Sequence, residues 1–358
     1  MRGDRLRVGL VGYGYAGKTF HAPLIAAVPA LELAAVASSD ATKVHADWPG
    51  VAVHASPAAL VARDDIDLVV IATPNDTHHP LARDALRAGR HVVVDKPFTV
   101  RLDDARELVA LARERGRLLS VFHNRRYDGD FLTLKKLLAD GALGRVVDVE
   151  SRHDRWRPAV RQRWRESAGP GAGLWFDLGP HLVDQALQLF GPPRAIALER
   201  ALVRDGALAD DWFHASLRYD RLHVHLHASM LACASAPRWT LHGTRGSFVK
   251  DGLDAQEEAL KAGVRPTWPP CDDWGVDPGR AAIVTRADDG RAVETPVMLE
   301  RGAHQAYFAA VGAAIRGEAP NPVPPEEALE VMELIELGIT SAAERRELEW
   351  RIGHAPAR

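Results

Sequence analysis

A chain of 358 residues is too long for one typical core and is expected to form two domains. With 46% hydrophobic and 26% charged residues and a formal net charge of −3, it has an ordinary globular balance that steers it neither to nucleic acid nor to an anionic membrane surface. Two cysteines, Cys233 and Cys271, cannot build a disulfide framework or a metal knuckle and suit a reduced, cytoplasmic compartment. No apolar run approaches the roughly 20 residues of a membrane helix, and MRGDRLRVGLVGYG is too short and glycine-rich for a signal peptide.

In chain order, short apolar runs lie at 6–11 (LRVGLV), 33–37 (LAAVA), 68–72 (LVVIA), 91–94 (HVVV) and 118–122 (LLSVF). Helical patterns such as 80–88 and 102–115 separate them, which predicts crossover units in a parallel sheet covered on both faces. Beyond residue 124 the rhythm changes. A helix predicted at 131–140 stops at Gly141, and alternating runs follow at 146–151, 195–203, 213–219, 222–230 and 238–241. Strands in succession predict a mostly antiparallel sheet. Residues 263–278, rich in Pro, Trp and Asp, read as a long loop. Residues 324–345 read as a helix with Pro325 and two glutamates in its first turn. The expected domains are therefore 1–123 and 124–358, with the helix at about 324–345 packing back on the first.

The stretch Val11-Gly12-Tyr13-Gly14-Tyr15-Ala16-Gly17 follows a strand and precedes a helical run, the context that gives a G-x-G-x-x-G motif meaning. Gly12 suits a tight turn, Gly14 a close backbone approach to pyrophosphate, and Gly17 close helix–strand packing. The phosphates would then meet the helix N-terminus. A ribose-binding carboxylate is due at the end of the second strand. Glu32 has the usual spacing but precedes its strand, whereas ligands bind beyond the carboxyl ends. The residues at the right end are Ser38 and Ser39 in AAVASSD, with Lys43 placed to reach a 2′-phosphate and Asp40 expected to cap the next helix. The expected cofactor is NADP rather than NAD.

Asp177 and His181 have i, i+4 spacing. Because Pro180 is tolerated only in a first helical turn, the helix is expected to begin near Asp177 and to project both side chains from one face. Read alone, the pair is equally an N-cap and a helix-surface histidine. His223, His225 and His227 in LHVHLH share one strand face. Without an accompanying acid or cysteine they suit a sheet face or subunit contact better than zinc, so no metal is expected. The arginines of SRHDRWRP are diluted by acids and do not make a nucleic-acid patch.

Three motifs, GYGYAG at 12–17, DKP at 95–97 and GAGLWFDLGPHLVD at 171–184, together resemble the glucose–fructose oxidoreductase/inositol dehydrogenase (Gfo/Idh/MocA) family over nearly the whole chain. GLVGYGYAGKTFHAPLI at 9–25 and VFHNRRYD at 121–128 are similar to its branch of NADP-dependent scyllo-inositol dehydrogenases. The resemblance implies an N-terminal Rossmann domain with a parallel, doubly wound sheet. It implies a C-terminal α+β domain with a large open, mostly antiparallel sheet, through which homodimers or homotetramers form. It implies hydride transfer between nicotinamide and a secondary alcohol carbon of a cyclic polyol or sugar. By the same resemblance Lys96, Asp177 and His181 are the catalytic group, and Asp95 stands beside the cofactor where the family more often has glutamate. Thr73, Pro74, Asn75 and His78 match the nicotinamide-ribose loop.

A histidine is the natural proton acceptor near neutral pH, and a lysine ammonium stabilises a developing alkoxide. His181 is therefore read as general base, Lys96 as substrate-oxygen anchor and Asp177 as positioner, with lysine as base the open alternative. Asp184 is a candidate for orienting His181. Tyr13, Tyr15 and His21 suit cofactor or substrate contact as well as packing, while Asn124, Arg125, Arg155, Trp156, Arg157 and Trp164 offer surfaces suited to a polyol. Two other readings remain on this fold: an NAD-dependent glycosidase of the same family, and a non-catalytic NADP-binding regulator. The presence of Lys96, Asp177 and His181 argues against the second.

Overall fold

The computed structural model describes residues 5–234 and 236–351. The chain divides into two units, neither continuous in sequence. One gathers Met1–Tyr127, Gln256–Gly275 and Ala303–Leu329, the other Asp128–Ala255, Val276–Gly302 and Glu330–Arg358.

The first unit is built on six strands, β1 (Leu6–Val11), β2 (Leu31–Ala37), β3 (Ala52–His54), β4 (Leu68–Ile71), β5 (His91–Val94) and β6 (Leu119–Val121). They lie in the order β3-β2-β1-β4-β5-β6, and every pair is parallel. The central strands are buried on both faces, which is why they read as unbroken apolar runs. The order reverses between β1 and β4, so the carboxyl ends of these two strands flank the crevice in which such sheets bind ligands. All five predicted strands are present. The sixth, β3, is three partly buried residues at the sheet edge and leaves no periodic signal to read.

Two later segments complete this unit. The helix Gln256–Lys261 is tied down by an ion pair of 2.5 Å between the buried Arg125 and Glu257. The helix Gln305–Ile315 is fixed by the Tyr307 hydroxyl donating to Ser120 Oγ at 2.8 Å. Between them, residues 264–280 carry turns but no helix or strand, as their composition predicts. The last helix, Pro325–Glu344, begins in this unit, where Glu326 and Glu327 pair with Arg113 and Arg126 at 2.9 and 2.6 Å.

The second unit carries a nine-stranded sheet of β7 (Val146–Arg152), β8 (Ala195–Ala201), β9 (Trp212–Arg218), β10 (His223–Ser229), β11 (Trp239–Gly243), β12 (Ser247–Lys250), β13 (Ala281–Arg286), β14 (Ala292–Pro296) and β15 (Leu348–Glu349). The order is β14-β13-β12-β11-β7-β10-β9-β8-β15. Only β7 and β10 pair in parallel, so the sheet is mixed and mostly antiparallel. Val149, Phe213, Leu217, Val224, Leu226 and Leu241 alternate onto the buried face, against the helix Leu174–Phe190. The opposite face carries His214, Ser216, His225 and Glu150 in half-buried positions.

That helix begins earlier than its proline suggests. The expected start near Asp177 is corrected to Leu174, with Gly173 as N-cap and Pro180 inside the helix. The reason is tertiary. The Asp210 carboxylate accepts the Trp175 N–H at 2.7 Å, and the Asp210 carbonyl accepts that of Leu174 at 2.6 Å. A residue 35 positions away thus satisfies N–H groups that a helix start leaves open. Gly173, at φ +97°, sits so close to Asp210 that a β-carbon would collide with its carboxylate. Asp177 is therefore no N-cap; its own N–H bonds the Gly173 carbonyl at 3.0 Å.

Trp175 anchors this helix. It is fully buried, meets Phe213 edge to face at 5.0 Å and donates its indole N–H to the Ile335 carbonyl at 3.1 Å. Gly179 and Gly338 leave room for its ring, since a β-carbon at either would come within 3.0 Å of it. Trp175→Ala is expected to cost about 3–5 kcal/mol, checked by the urea midpoint.

Candidate active site

The glycine loop joins β1 to a helical run whose first turn contains a π turn, Gly17–His21. At Gly12 (φ +96°) a β-carbon would meet the Ala72 carbonyl at 2.6 Å, and at Gly17 it would collide with the Gly12 carbonyl. Gly14 has nothing within 4 Å of the position its β-carbon would take. Two glycines thus close the turn against the end of β4, and the third leaves its backbone open for a pyrophosphate. The Lys18 N–H returns to the Gly14 carbonyl at 3.0 Å and starts the helix.

Beside this loop lies a cleft of about 370 Å³, lined among others by Gly12, Gly14, Ser38, Ser39, Lys43 and Thr73. Asp40 caps the helix Ala41–Asp47 by accepting the Lys43 N–H at 3.0 Å, as expected, and Ser38 Oγ accepts the Asp40 N–H at 3.1 Å. The carboxylate of AAVASSD is thereby turned to the helix. Glu32 sits at the opposite end of β2, paired with Arg7 at 2.7 Å.

Of the tyrosines in the loop, Tyr13 is buried and donates its hydroxyl to Asp47 Oδ2 at 2.8 Å, where Lys18 also binds at 2.9 Å. Burial and the Asp47 charge raise the Tyr13 phenol far above its ordinary value. It therefore braces the loop as a neutral donor. Tyr15 is exposed and packs edge to face on Phe20.

Two strand ends carry the next set of residues. After β4, Thr73 Oγ1 accepts from Thr77 at 2.7 Å, Asn75 is buried, and Pro74 is exposed. His78 is fully buried with Nδ1 at 2.8 Å from the Pro97 carbonyl and Nε2 at 3.0 Å from the Thr73 carbonyl. It thus joins the loops after β4 and β5. Burial pushes its pKa down, against the pull of Asp95 and these carbonyls. After β5, Asp95 is buried and Lys96 half-buried. Asp95 Oδ1 accepts the Lys96 N–H at 2.9 Å and lies 3.5 Å from His21 Nε2.

Burial alone would raise the Asp95 pKa, but contact with His21 and the charges of His21, Lys96 and His78 outweigh it and hold the carboxyl near 2. Because that value lies below the unfolded one of about 3.9, the ionised group stabilises the fold above that pH. The contribution, at most about 2–3 kcal/mol, is lost as pH falls towards 2. Asp95→Asn is expected to lose less stability than the native chain between about pH 5 and pH 2, measured by urea midpoints at both. An equal loss would place the acid sensitivity in other groups.

In the second unit, the helix Leu174–Phe190 presents Asp177 half-buried and His181, Asp184 and Gln185 buried. Asp177 Oδ1 lies 3.5 Å from Arg165 Nε, and the Arg165 guanidinium lies over the Trp164 ring at 4.5 Å. Trp156 is exposed and bridges to Leu231. In the first unit, Asn124 meets His304 Nδ1 at 3.4 Å, and Arg125 is occupied structurally by Glu257.

Sequence reasoning missed Arg165, whose signal was only its place beside Trp164, and Asp210, which no local pattern reveals. It also missed His214, which joins the predicted histidine face across the strand pair, 5.5 Å from His225 and 5.9 Å from His227. Burial and the neighbouring Arg152 push the His227 pKa down to about 4. Among the described residues no helix is long and apolar enough to cross a membrane.

A parallel sheet in this order, with an open glycine loop at its switch point, defines a dinucleotide-binding domain. Residues 6–123 match the model of an oxidoreductase family's NAD-binding Rossmann fold, and residues 135–350 match that family's C-terminal alpha/beta domain. The chain belongs to this Gfo/Idh/MocA oxidoreductase family. It is 57% identical over 345 residues to the uncharacterized oxidoreductase YdgJ of Escherichia coli, covering 96% of this chain and 99% of that one. It is 35% identical over 347 residues to the scyllo-inositol 2-dehydrogenase (NADP(+)) IolW of Bacillus subtilis, covering 96% and 95%. A solved structure of the YPO2259 putative oxidoreductase from Yersinia pestis superposes with a TM-score of 0.93 at 54% identity, covering 98% of this chain and 99% of that one.

Proposed function

We propose that this oxidoreductase is an NADP-dependent dehydrogenase acting on a secondary alcohol carbon of a cyclic polyol or sugar, of which scyllo-inositol is the type. The observation that carries the cofactor choice is the end of β2. Asp40 lines the cleft together with two serines and Lys43, and its Oδ1 is engaged as the helix cap by the Lys43 N–H. A serine does not repel a 2′-phosphate as a ribose-binding carboxylate would. IolW, named for scyllo-inositol and NADP, supports the reading.

NADP, when bound, supplies the hydride acceptor and donor. The chain holds it through the loop Gly12–Gly17, Ser38, Ser39, Lys43 and the strand ends at Thr73–His78 and Asp95–Lys96. Lys96 anchors the substrate oxygen and stabilises alkoxide charge, His181 takes the alcohol proton, and Asp177, held by Arg165, orients what His181 acts on. Lysine as the base is the alternative that variants resolve. Trp164 suits the apolar face of a polyol ring.

A panel of inositols and aldoses, each assayed with NADP and with NAD by nicotinamide absorbance, tests this. Turnover confined to NAD would overturn the cofactor assignment, and absence of turnover across the panel the substrate class. A second copy of the chain is the proposed partner, docking through the half-buried face of the nine-stranded sheet, in the cytoplasm. Sedimentation of a monomer would overturn that.

A further inference from the structure

His21 is completely buried, its ring centroid 4.4 Å from Phe122 and 6.0 Å from Phe308. Neither ring nitrogen meets a hydrogen-bond partner in good geometry, and its one polar contact is Nε2 to Asp95 Oδ1 at 3.5 Å. Burying an imidazole with an open nitrogen is costly, and packing in this aromatic box would be served better by an apolar ring. The polar ring is therefore explained by what it touches. The carboxylate oxygen facing it, Asp95 Oδ1, also accepts the Lys96 N–H. On the far side of Lys96, His78 holds the Pro97 carbonyl. The backbone around the lysine is thus tied on both flanks by buried groups. His21 reaches this place from the last position of the π turn that follows the glycine loop. An extra residue in a helical turn re-aims the side chains after it, which is why such turns recur at functional sites.

We propose that His21 and Asp95 form one positioning unit for Lys96, linking the cofactor loop to the lysine and keeping a carboxylate beside it. The unit rests on the reading of Lys96 as the group that meets the substrate oxygen. Neither member touches substrate in this scheme. His21 holds the carboxylate, and the carboxylate sets the lysine's backbone and electrostatic surroundings. The other titratable groups around the carboxylate are His78, Lys96 itself and the buried Tyr307.

The test compares His21→Phe, His21→Gln, Asp95→Asn, the double variant His21→Phe/Asp95→Asn and Lys96→Ala. The assay is oxidation of scyllo-inositol, or of the best substrate from the panel, with NADPH affinity by fluorescence and thermal midpoints alongside. His21→Phe and Asp95→Asn are each expected to lower kcat by about tenfold or more with KM for the alcohol within about threefold of native, and His21→Phe, which lies outside the cofactor-holding groups, with NADPH affinity within about threefold as well. The double variant is expected to fall no more than about threefold below the worse single one, because the two act as a unit. A kcat within about threefold of native in both single variants, or losses that multiply in the double, would overturn the inference while an inactive Lys96→Ala left the lysine's role standing. Near-native turnover of Lys96→Ala would instead sink the functional reading, and this inference with it. If His21→Phe fails to fold, Asp95→Asn carries the comparison, and His21→Gln, whose amide can still donate to the carboxylate, is expected to keep more activity than Asp95→Asn.

Discussion

Lys96→Ala is expected to lower kcat for alcohol oxidation by about 10²–10⁴-fold, and His181→Ala by a loss of the same order. Removing a hydroxyl hydride without removing its proton leaves a charge that nothing balances. A positioned acceptor and a fixed cation are the groups that lower that barrier. His181 is not among the groups that hold the cofactor, so NADPH affinity should stay near native in His181→Ala, whereas Lys96 also stands at a cofactor-holding strand end and its loss is read on kcat. Lys96→Arg distinguishes the lysine's two possible roles. Arginine keeps the charge but cannot give up a proton near neutral pH, so partial activity means an anchor and full loss means the base. Near-normal turnover in both alanine variants would remove these residues from the chemistry altogether.

Ser38→Asp is expected to shift the cofactor preference from NADP towards NAD by one to three powers of ten. A carboxylate about 4 Å from a 2′-phosphate costs about 1–4 kcal/mol per unit of phosphate charge, depending on how far the site is screened. The same carboxylate can accept both ribose hydroxyls of NAD. The backbone should tolerate the change, because Ser38 is half-buried at the strand end and the helix cap belongs to Asp40. Lys43→Ala should raise KM for NADP and leave that for NAD unchanged, since the Asp40 cap uses only the Lys43 backbone N–H. Measured kcat/KM ratios for both cofactors decide the matter. A native enzyme that already prefers NAD would refute the reading of this strand end.

Much of the cofactor end was legible because its signals are local. Gly12 and Gly17 are required by backbone collisions within a few residues or with the adjacent strand, and Asp40 caps the helix it immediately precedes. Apolar runs of four to six residues between helical patterns leave few options besides a parallel sheet. The catalytic end was less legible. The residue types of Asp177 and His181 were plain, but the start of their helix was misplaced, because Pro180 carries a strong local rule and Asp210 a distant exception.

The candidate catalytic residues came from a family resemblance, while the sequence by itself determined the two-part architecture, the glycine loop and the Asp40 helix cap. Each depends on neighbours within about one helical turn or on strand periodicity. Only the tertiary structure decided that residues 256–275 and 303–329 complete the first unit, that Arg165 faces Asp177, and that a buried His21 lies 3.5 Å from Asp95. Those contacts join residues 12 to more than 130 positions apart, and their energy comes from burial and charge pairing that exist only once the chain has folded.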